Sequence, residues 1–364
     1  MNEMNQLLKD SAGRLFGNLC DRAQIAQAET GQWPASLWNA TLAAGLIDAI
    51  DPESDGTTLL ALPTLAVIVR ALGEFAVPLP VAETLLAQRQ LALCGLSIPD
   101  GPLTVAPSCG HAKLEQRDGR WFLSANLRRV PWGRDARAIV IEARHDENVM
   151  LVCLHGLKPT RLGMSLANEP RDDFSLTNHP VPAECIAHRA VMSRRLDRES
   201  ALFRTLQITG ALGRILGMTV QYSMERVQFG RAIAKFQAVQ HQVATMATHA
   251  AAAAAAAEAA VNSAQERTAE FEIMAAKLRA SEAAGACCRV AHQVHGAMGF
   301  THEHALHTFT RRLMSWRDEF GSEMQCAEWI GEQIQHIGGA NLWSYVSTPQ
   351  LHANAAGIGT ERHA

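Results

Sequence analysis

The sequence predicts an α+β chain that is mainly α: an N-terminal helical domain over residues 1–96, a middle β-domain over 97–192, a C-terminal four-helix bundle over 193–345 and a flexible tail over 346–364. Two observations carry this. The hydrophobic period is helical at both ends of the chain and short and strand-like between them. The composition has 48% hydrophobic but only 5% aromatic residues and is rich in alanine, which favours helix over an all-β architecture. A chain of 364 residues with this composition buries a large core and divides into two or three domains.

In the first zone QIAQAE, SLWNATLAAGLIDAI, TLLALPTLAVIVRALGEFA and AETLLAQRQLALCGL place apolar residues at i, i+3, i+4 spacing, with breaks expected at Pro34, Pro52, Pro63 and Pro78–Pro80. In the second, LTVAP, KLEQRDGRWFLSA, ARAIVIEAR and NVMLVCLHG are short runs bounded by Gly, Pro and Asp. The alternation on either side of Asp118-Gly119 predicts a hairpin. In the third, Gly210, Gly213 and Gly217 share one helical face, where a neighbouring helix could approach closely. The next helix sets Phe236, Val239, Val243, Met246 and Ala250 along a bundle seam, a long helix follows from about Ala269 to Val294, and a fourth surrounds Trp329.

Composition excludes several function classes. A formal charge of -3 and the lack of any long basic block argue against nucleic acid as a partner. The alanine run around Ala250 to Ala260 is interrupted by Glu258, so no membrane span is expected. The start MNEMNQLLKDSAGRLF lacks the apolar core of a signal peptide, and a cytoplasmic location is expected. Eight scattered cysteines without a CxxC pair suit reduced, buried thiols. His292, His295, His302, His304 and His307 cluster, yet no carboxylate or thiolate falls at a matching offset, so no metal is assigned.

Two motifs carry a resemblance. Glu225-Arg226-Val227-Gln228-Phe229-Gly230 followed by Phe236-Gln237 resembles the Arg, x, x, Phe-Gly, then Phe-Gln pattern of the acyl-CoA dehydrogenase family. Further along, Gln293-Val294-His295-Gly296-Ala297-Met298-Gly299-Phe300 is similar to that family's Gln-x-x-Gly-Gly-x-Gly-Phe. Weaker echoes, LWNATLAAGL and GEFAVPLPVAETLLA in the helical zone and GRWFLSA with ARAIVIEAR in the β-zone, extend the resemblance over most of the chain. It implies FAD as cofactor, with Arg226, Phe229, Gln237, Gln293, Val294, His295, Gly296 and Ala297 on its adenosine and pyrophosphate part. It also implies a flavin end held by a neighbouring subunit, an acyl-CoA substrate and an electron-transferring flavoprotein as acceptor. Physically, a pyrophosphate needs a guanidinium or N–H donors and an adenine needs a flat apolar wall with an amide at its edge, which Arg226 and Gln293 can serve. The plainer reading is that these two residues cap and cross-link helices.

The chain departs from the family in three places. The catalytic glutamate of a Glu-Gly-Thr turn falls at Phe320 in Phe320-Gly321-Ser322, and phenylalanine cannot accept the α-proton of a thioester. Glu319 is the displaced candidate. A second family position for the base, just before an arginine on the first bundle helix, holds Phe203 ahead of Arg204, and Arg204 itself matches a residue near the family's active site. The loop that usually holds the flavin ring reads only Val105-Ala106-Pro107-Ser108-Cys109-Gly110-His111. Such a pattern resembles the subunit without the base in heteromeric, α2β2 acyl-CoA dehydrogenases that act on steroid side chains. The competing expectations are a self-sufficient homotetramer with Glu319 as base, a non-catalytic interaction protein, and a flavin monooxygenase on the same scaffold.

Overall fold

A computed structural model describes residues 3–50, 59–108, 111–188, 195–266 and 269–347. The break expected at Pro52, Cys109-Gly110 of the flavin loop, the β-to-bundle boundary at 192–193 and the tail from residue 348 onward lie outside the described residues. The chain forms two compact units, Met1–Phe203 and Arg204–Ala364, the division falling within one long helix.

The first unit begins with α1 (Glu3–Leu19), α2 (Arg22–Glu29), α3 (Ala35–Ala43), α4 (Leu62–Glu74) and α5 (Val81–Leu93). Prolines start these helices: Pro34 and Pro80 are N-caps, and Pro63 sits in the first turn of α4, where a missing N–H leaves no bond unmade. Asp21 caps α2 by accepting from Gln24 N–H at 2.8 Å. Phe16, Leu65, Ile68, Leu72 and Leu85 are fully buried.

Seven strands follow: β1 (Leu103–Val105), β2 (Lys113–Arg117), β3 (Arg120–Pro131), β4 (Ala138–His145), β5 (Asn148–His155), β6 (Arg171–Val181) and β7 (Ile186–His188). Their order is β6-β3-β2-β4-β5-β7, with β1 parallel to β4. The expected hairpin is β2–β3, with Arg117 opposite Arg120. Asp118 and Gly119 both have positive φ, 50° and 75°, as a two-residue turn matched to strand twist requires. Leu114, Leu123, Leu127, Ile139, Ile141, Val152, Leu154 and Phe174 form the sheet's core.

The chain continues through α6 (Arg195–Glu225), the hairpin strands β8 (Val227–Gln228) and β9 (Arg231–Ala232), α7 (Gln237–Glu266), α8 (Glu270–His295), α9 (Leu306–Trp316), α10 (Glu323–Ile337) and α11 (Leu342–Ser347). α8 packs against α7, α9 and α10. The seam of α7 runs through buried Met246, Ala250, Ala253, Ala257 and Ala260, so the alanine run is a close-packed helix face; Val239 and Val243 are half-buried. α10 opens on a reciprocal capping box between Ser322 and Gln325. One packing expectation needs correcting: Gly213 and Gly217 are exposed, and a Cβ at either would meet nothing within 4 Å. Among the described residues, no helix packs closely on Gly213 and Gly217, while Gly210 is half-buried. No helix among the described residues is long and apolar enough to cross a membrane.

Candidate functional site

Arg226 follows directly on α6. Its N–H donates to Tyr222 O at 2.8 Å, and its carbonyl accepts from Ile233 N–H at 2.9 Å, closing the β8–β9 hairpin. At the tip Phe229 and Gly230 take positive φ, 50° and 77°, the left-handed pair a tight hairpin needs; for phenylalanine that conformation is strained. The Phe229 ring is 92% exposed and meets Phe236 edge-on at 6.1 Å, while Arg231 lies over Phe236 at 4.2 Å. Gln237 opens α7 on the surface. Among the described residues neither the Arg226 guanidinium nor the Gln237 amide has a partner.

The second motif closes α8. Gln293 is exposed and likewise without a side-chain partner, Val294 and His295 are buried, and Ala297 is exposed. Gly296 leaves the helix at φ 58°, ψ -142°, a region only glycine enters at low cost. A Cβ on Gly299 would come within 3.1 Å of His292, His295 and Leu306. His295 Nδ1–H donates to Ala291 O at 2.7 Å, which leaves Nε2 as an acceptor, buried and unpartnered. Its ring stacks on Tyr222 at 4.4 Å and meets His304 at 4.6 Å. Burial holds the pKa values of His292, His295 and His304 below the usual imidazole range, with neighbouring imidazoles adding to the effect. Among the described residues no group of three is placed to hold a metal ion.

The turn between α9 and α10 is built differently. Arg204, buried on α6, bonds Glu319 Oε2 through Nη2 at 2.8 Å and Gln207 through Nη1. Its guanidinium lies 5.8 Å from the Trp316 ring and 5.6 Å from the Phe320 ring. Phe320 has φ 55° and Gly321 φ 119°. Beneath them the fully buried Lys277 donates to Ser281 Oγ at 3.0 Å and to the carbonyls of Arg317 and Gly321 at 2.7 Å each. Burial lowers its pKa to about 8. Sequence reasoning passed over Lys277, although a lysine at helical spacing among Ile273, Ala280, Ala284 and Ala291 was a visible signal. Tyr222, four residues before Arg226, was missed as well.

In the first unit the loop at Val105–Ser108 spends its donors internally. Ala106 N–H goes to Val140 O at 3.0 Å and Ser108 N–H to Asp197 Oδ1 at 3.0 Å, while Glu142 accepts from Leu196 N–H at 3.1 Å.

Comparison with known proteins agrees with the motifs. Residues 189–334 match the family model of the acyl-CoA dehydrogenase C-terminal domain. The chain is 26% identical over 314 residues to the acyl-CoA dehydrogenase IpdE2 of Mycobacterium tuberculosis, covering 85% of this chain and 91% of that one. Its fold matches a chain of the ChsE4-ChsE5 complex from Mycobacterium tuberculosis with a TM-score of 0.85 at 21% identity, over 93% of this chain and 99% of that one. It matches a chain of the Tcur3481-Tcur3483 steroid ACAD with a TM-score of 0.82 at 22% identity, over 91% and 97%. The fold is therefore that of the acyl-CoA dehydrogenases. Residues 189–334, which hold the Arg226 and Gln293 motifs, are those that match the acyl-CoA dehydrogenase C-terminal domain.

Proposed function

We propose that this chain is a subunit of a hetero-oligomeric, FAD-dependent acyl-CoA dehydrogenase that introduces the α,β double bond into an acyl-CoA thioester. It supplies the half-site that grips the adenosine and pyrophosphate of FAD, and a homologous partner supplies the flavin loop and the base. The observation that carries this reading is the α9–α10 turn. The α-proton must pass to a carboxylate as the β-hydride departs. Phe320 stands at the family position of that carboxylate, and Glu319 is bound to Arg204 at 2.8 Å. A base that must first break a buried ion pair is a poor base.

The opposite end supports the other half of the reading. The Arg226 guanidinium, the Phe229 ring and the Gln293 amide are exposed, and they fit a pyrophosphate, a flat wall for adenine and an amide at its edge. Gln237, Val294, His295, Gly296 and Ala297 form the surrounding backbone and helix ends. Bound FAD supplies the hydride acceptor, and an electron-transferring flavoprotein takes the electrons onward. Arg204, which matches a residue near the family's active site, is assigned to the acyl part of the substrate. The substrate class we assign is a bulky acyl-CoA, a steroid side chain in keeping with the steroid enzyme of the same fold, and the site of action is the cytoplasm.

The test is an absorbance spectrum and a mass of the protein purified alone and after co-expression with an acyl-CoA dehydrogenase-like partner. Flavin in the co-purified complex only, stripped by Arg226→Ala, supports the split site. A yellow lone chain that reduces an acceptor with acyl-CoA and loses that activity in Glu319→Gln overturns it.

A further inference from the structure

We propose that Tyr222 is a positioning residue that sets the spacing between the two halves of the cofactor grip, the hairpin carrying Arg226 and Phe229 and the turn from Gln293 to Ala297. What is gripped rests on the cofactor reading above; the joint itself rests on contacts within the second unit. The two halves lie on different elements, one following α6 and one ending α8, and apart from the α7–α8 packing they meet at Tyr222.

Tyr222 touches both with three separate parts. Its carbonyl accepts the Arg226 N–H at 2.8 Å, which anchors the first residue of the hairpin. Its ring stacks on the His295 imidazole with centroids 4.4 Å apart and planes at 24°. Its hydroxyl donates to the His295 carbonyl at 3.3 Å. That carbonyl belongs to the last turn of α8, whose oxygens have no partner within the helix, so the hydroxyl acts as a side-chain cap at the point where the chain turns off through Gly296.

His295 is held in turn. Its Nδ1–H is committed to Ala291 O at 2.7 Å, and His304 lies against it at 4.6 Å while meeting Tyr222 edge-on at 6.0 Å. The groups around the stack are His292 on α8 and His304 on the following turn, both imidazoles whose pKa burial lowers. A ring, a hydroxyl and a backbone carbonyl thus make one rigid joint between the guanidinium that faces a pyrophosphate and the amide that faces an adenine. A two-ended ligand needs its contacts at a fixed separation, and small displacements of such groups weaken binding steeply.

The experiment compares Tyr222→Leu and Tyr222→Phe with the unaltered protein by amide hydrogen exchange of the chain, and by FAD retention in the co-purified complex. Tyr222→Leu is expected to speed exchange in residues 226–232 and 293–300 together, to leave β4 and β5 unchanged, and to weaken FAD retention about tenfold, the scale of one hydrogen bond with a ring contact. Tyr222→Phe keeps the stack and is expected to raise exchange at 293–300 alone, with a smaller loss of FAD. Wild-type protection of both segments in Tyr222→Leu overturns the proposal. So does an even loss of protection across the second unit in Tyr222→Phe, the result of mere packing. If the unaltered complex carries no flavin, the cofactor reading falls and the exchange data alone decide the joint.

Discussion

Two ends of the second unit face the same chemistry in opposite ways. At the α9–α10 turn two strong charges are taken up within the chain: Glu319 by Arg204, and the Lys277 ammonium by three oxygens. At the β8–β9 hairpin and the end of α8, Arg226, Gln237 and Gln293 have no side-chain partner among the described residues, and Phe229 is held in a strained backbone with its ring in solvent. An exposed guanidinium, two amides and an aromatic ring on these elements are free to meet another molecule, which the proposed function puts to use. A carboxylate paired with a buried arginine is a weaker base than a free one. On the proposed function, the contrast teaches that residues aimed outward, rather than residues of the right chemical type, are the ones to test for ligand binding.

The largest expected effect breaks the closed end. Glu319→Gln leaves the Arg204 guanidinium buried without its countercharge between Trp316 and Phe320, and the chain should lose about 3 kcal/mol of stability in urea unfolding. A neutral result would mean that the carboxylate is free, and the difference between the two ends would vanish.

Next is Lys277→Met, which removes the donor from two carbonyls and a hydroxyl for an expected loss of about 2 kcal/mol at neutral pH. Its pH dependence sharpens the point. The folded pKa of about 8 lies below the ordinary lysine value of 10.5, so between these two the unfolded chain binds more protons and folding is favoured as pH rises. The stability gap between the unaltered protein and Lys277→Met should therefore widen from about pH 8 upward. A constant gap would place the lysine in solvent.

The open end predicts the reverse on the acid side. His292, His295 and His304 all have lowered pKa values, so the stability they confer is complete above the ordinary imidazole value and is lost as pH falls through the lowered ones. Urea midpoints should drop as the solution is acidified below about pH 6.5. His295→Gln should blunt that drop, and an unchanged acid response would remove His295 from the set.

The two ends also differ in how far the sequence announces them. The Arg226 and Gln293 motifs are legible because each is a short local run that resembles a family pattern. The closed turn is only half legible. Phe320 in place of a carboxylate can be counted along the chain, but the Arg204–Glu319 pair joins residues on distant elements that no periodicity relates. Lys277 could have been found as a charge on an apolar stripe. Gly213 and Gly217 show the limit of such patterns, since a small-residue face says how near a neighbour can come and not whether one is there.

The smallest effect on stability carries the finest test. Phe229 is 92% exposed at φ 50°, so its ring adds little to folding and its backbone carries strain. Phe229→Gly removes both and adds the entropy cost of glycine, terms of about 1 kcal/mol that oppose one another. The unfolding midpoint of the lone chain should therefore stay within about 0.5 kcal/mol of the original. If the ring is the wall for an adenine, the same substitution should strip FAD from the assembled complex while the chain folds as before. A variant that keeps its flavin would show that the strain at this tip serves no ligand. A variant that unfolds would show that the ring packs within the chain. Either result would erase the contrast between an end that is satisfied internally and one that is built for another molecule.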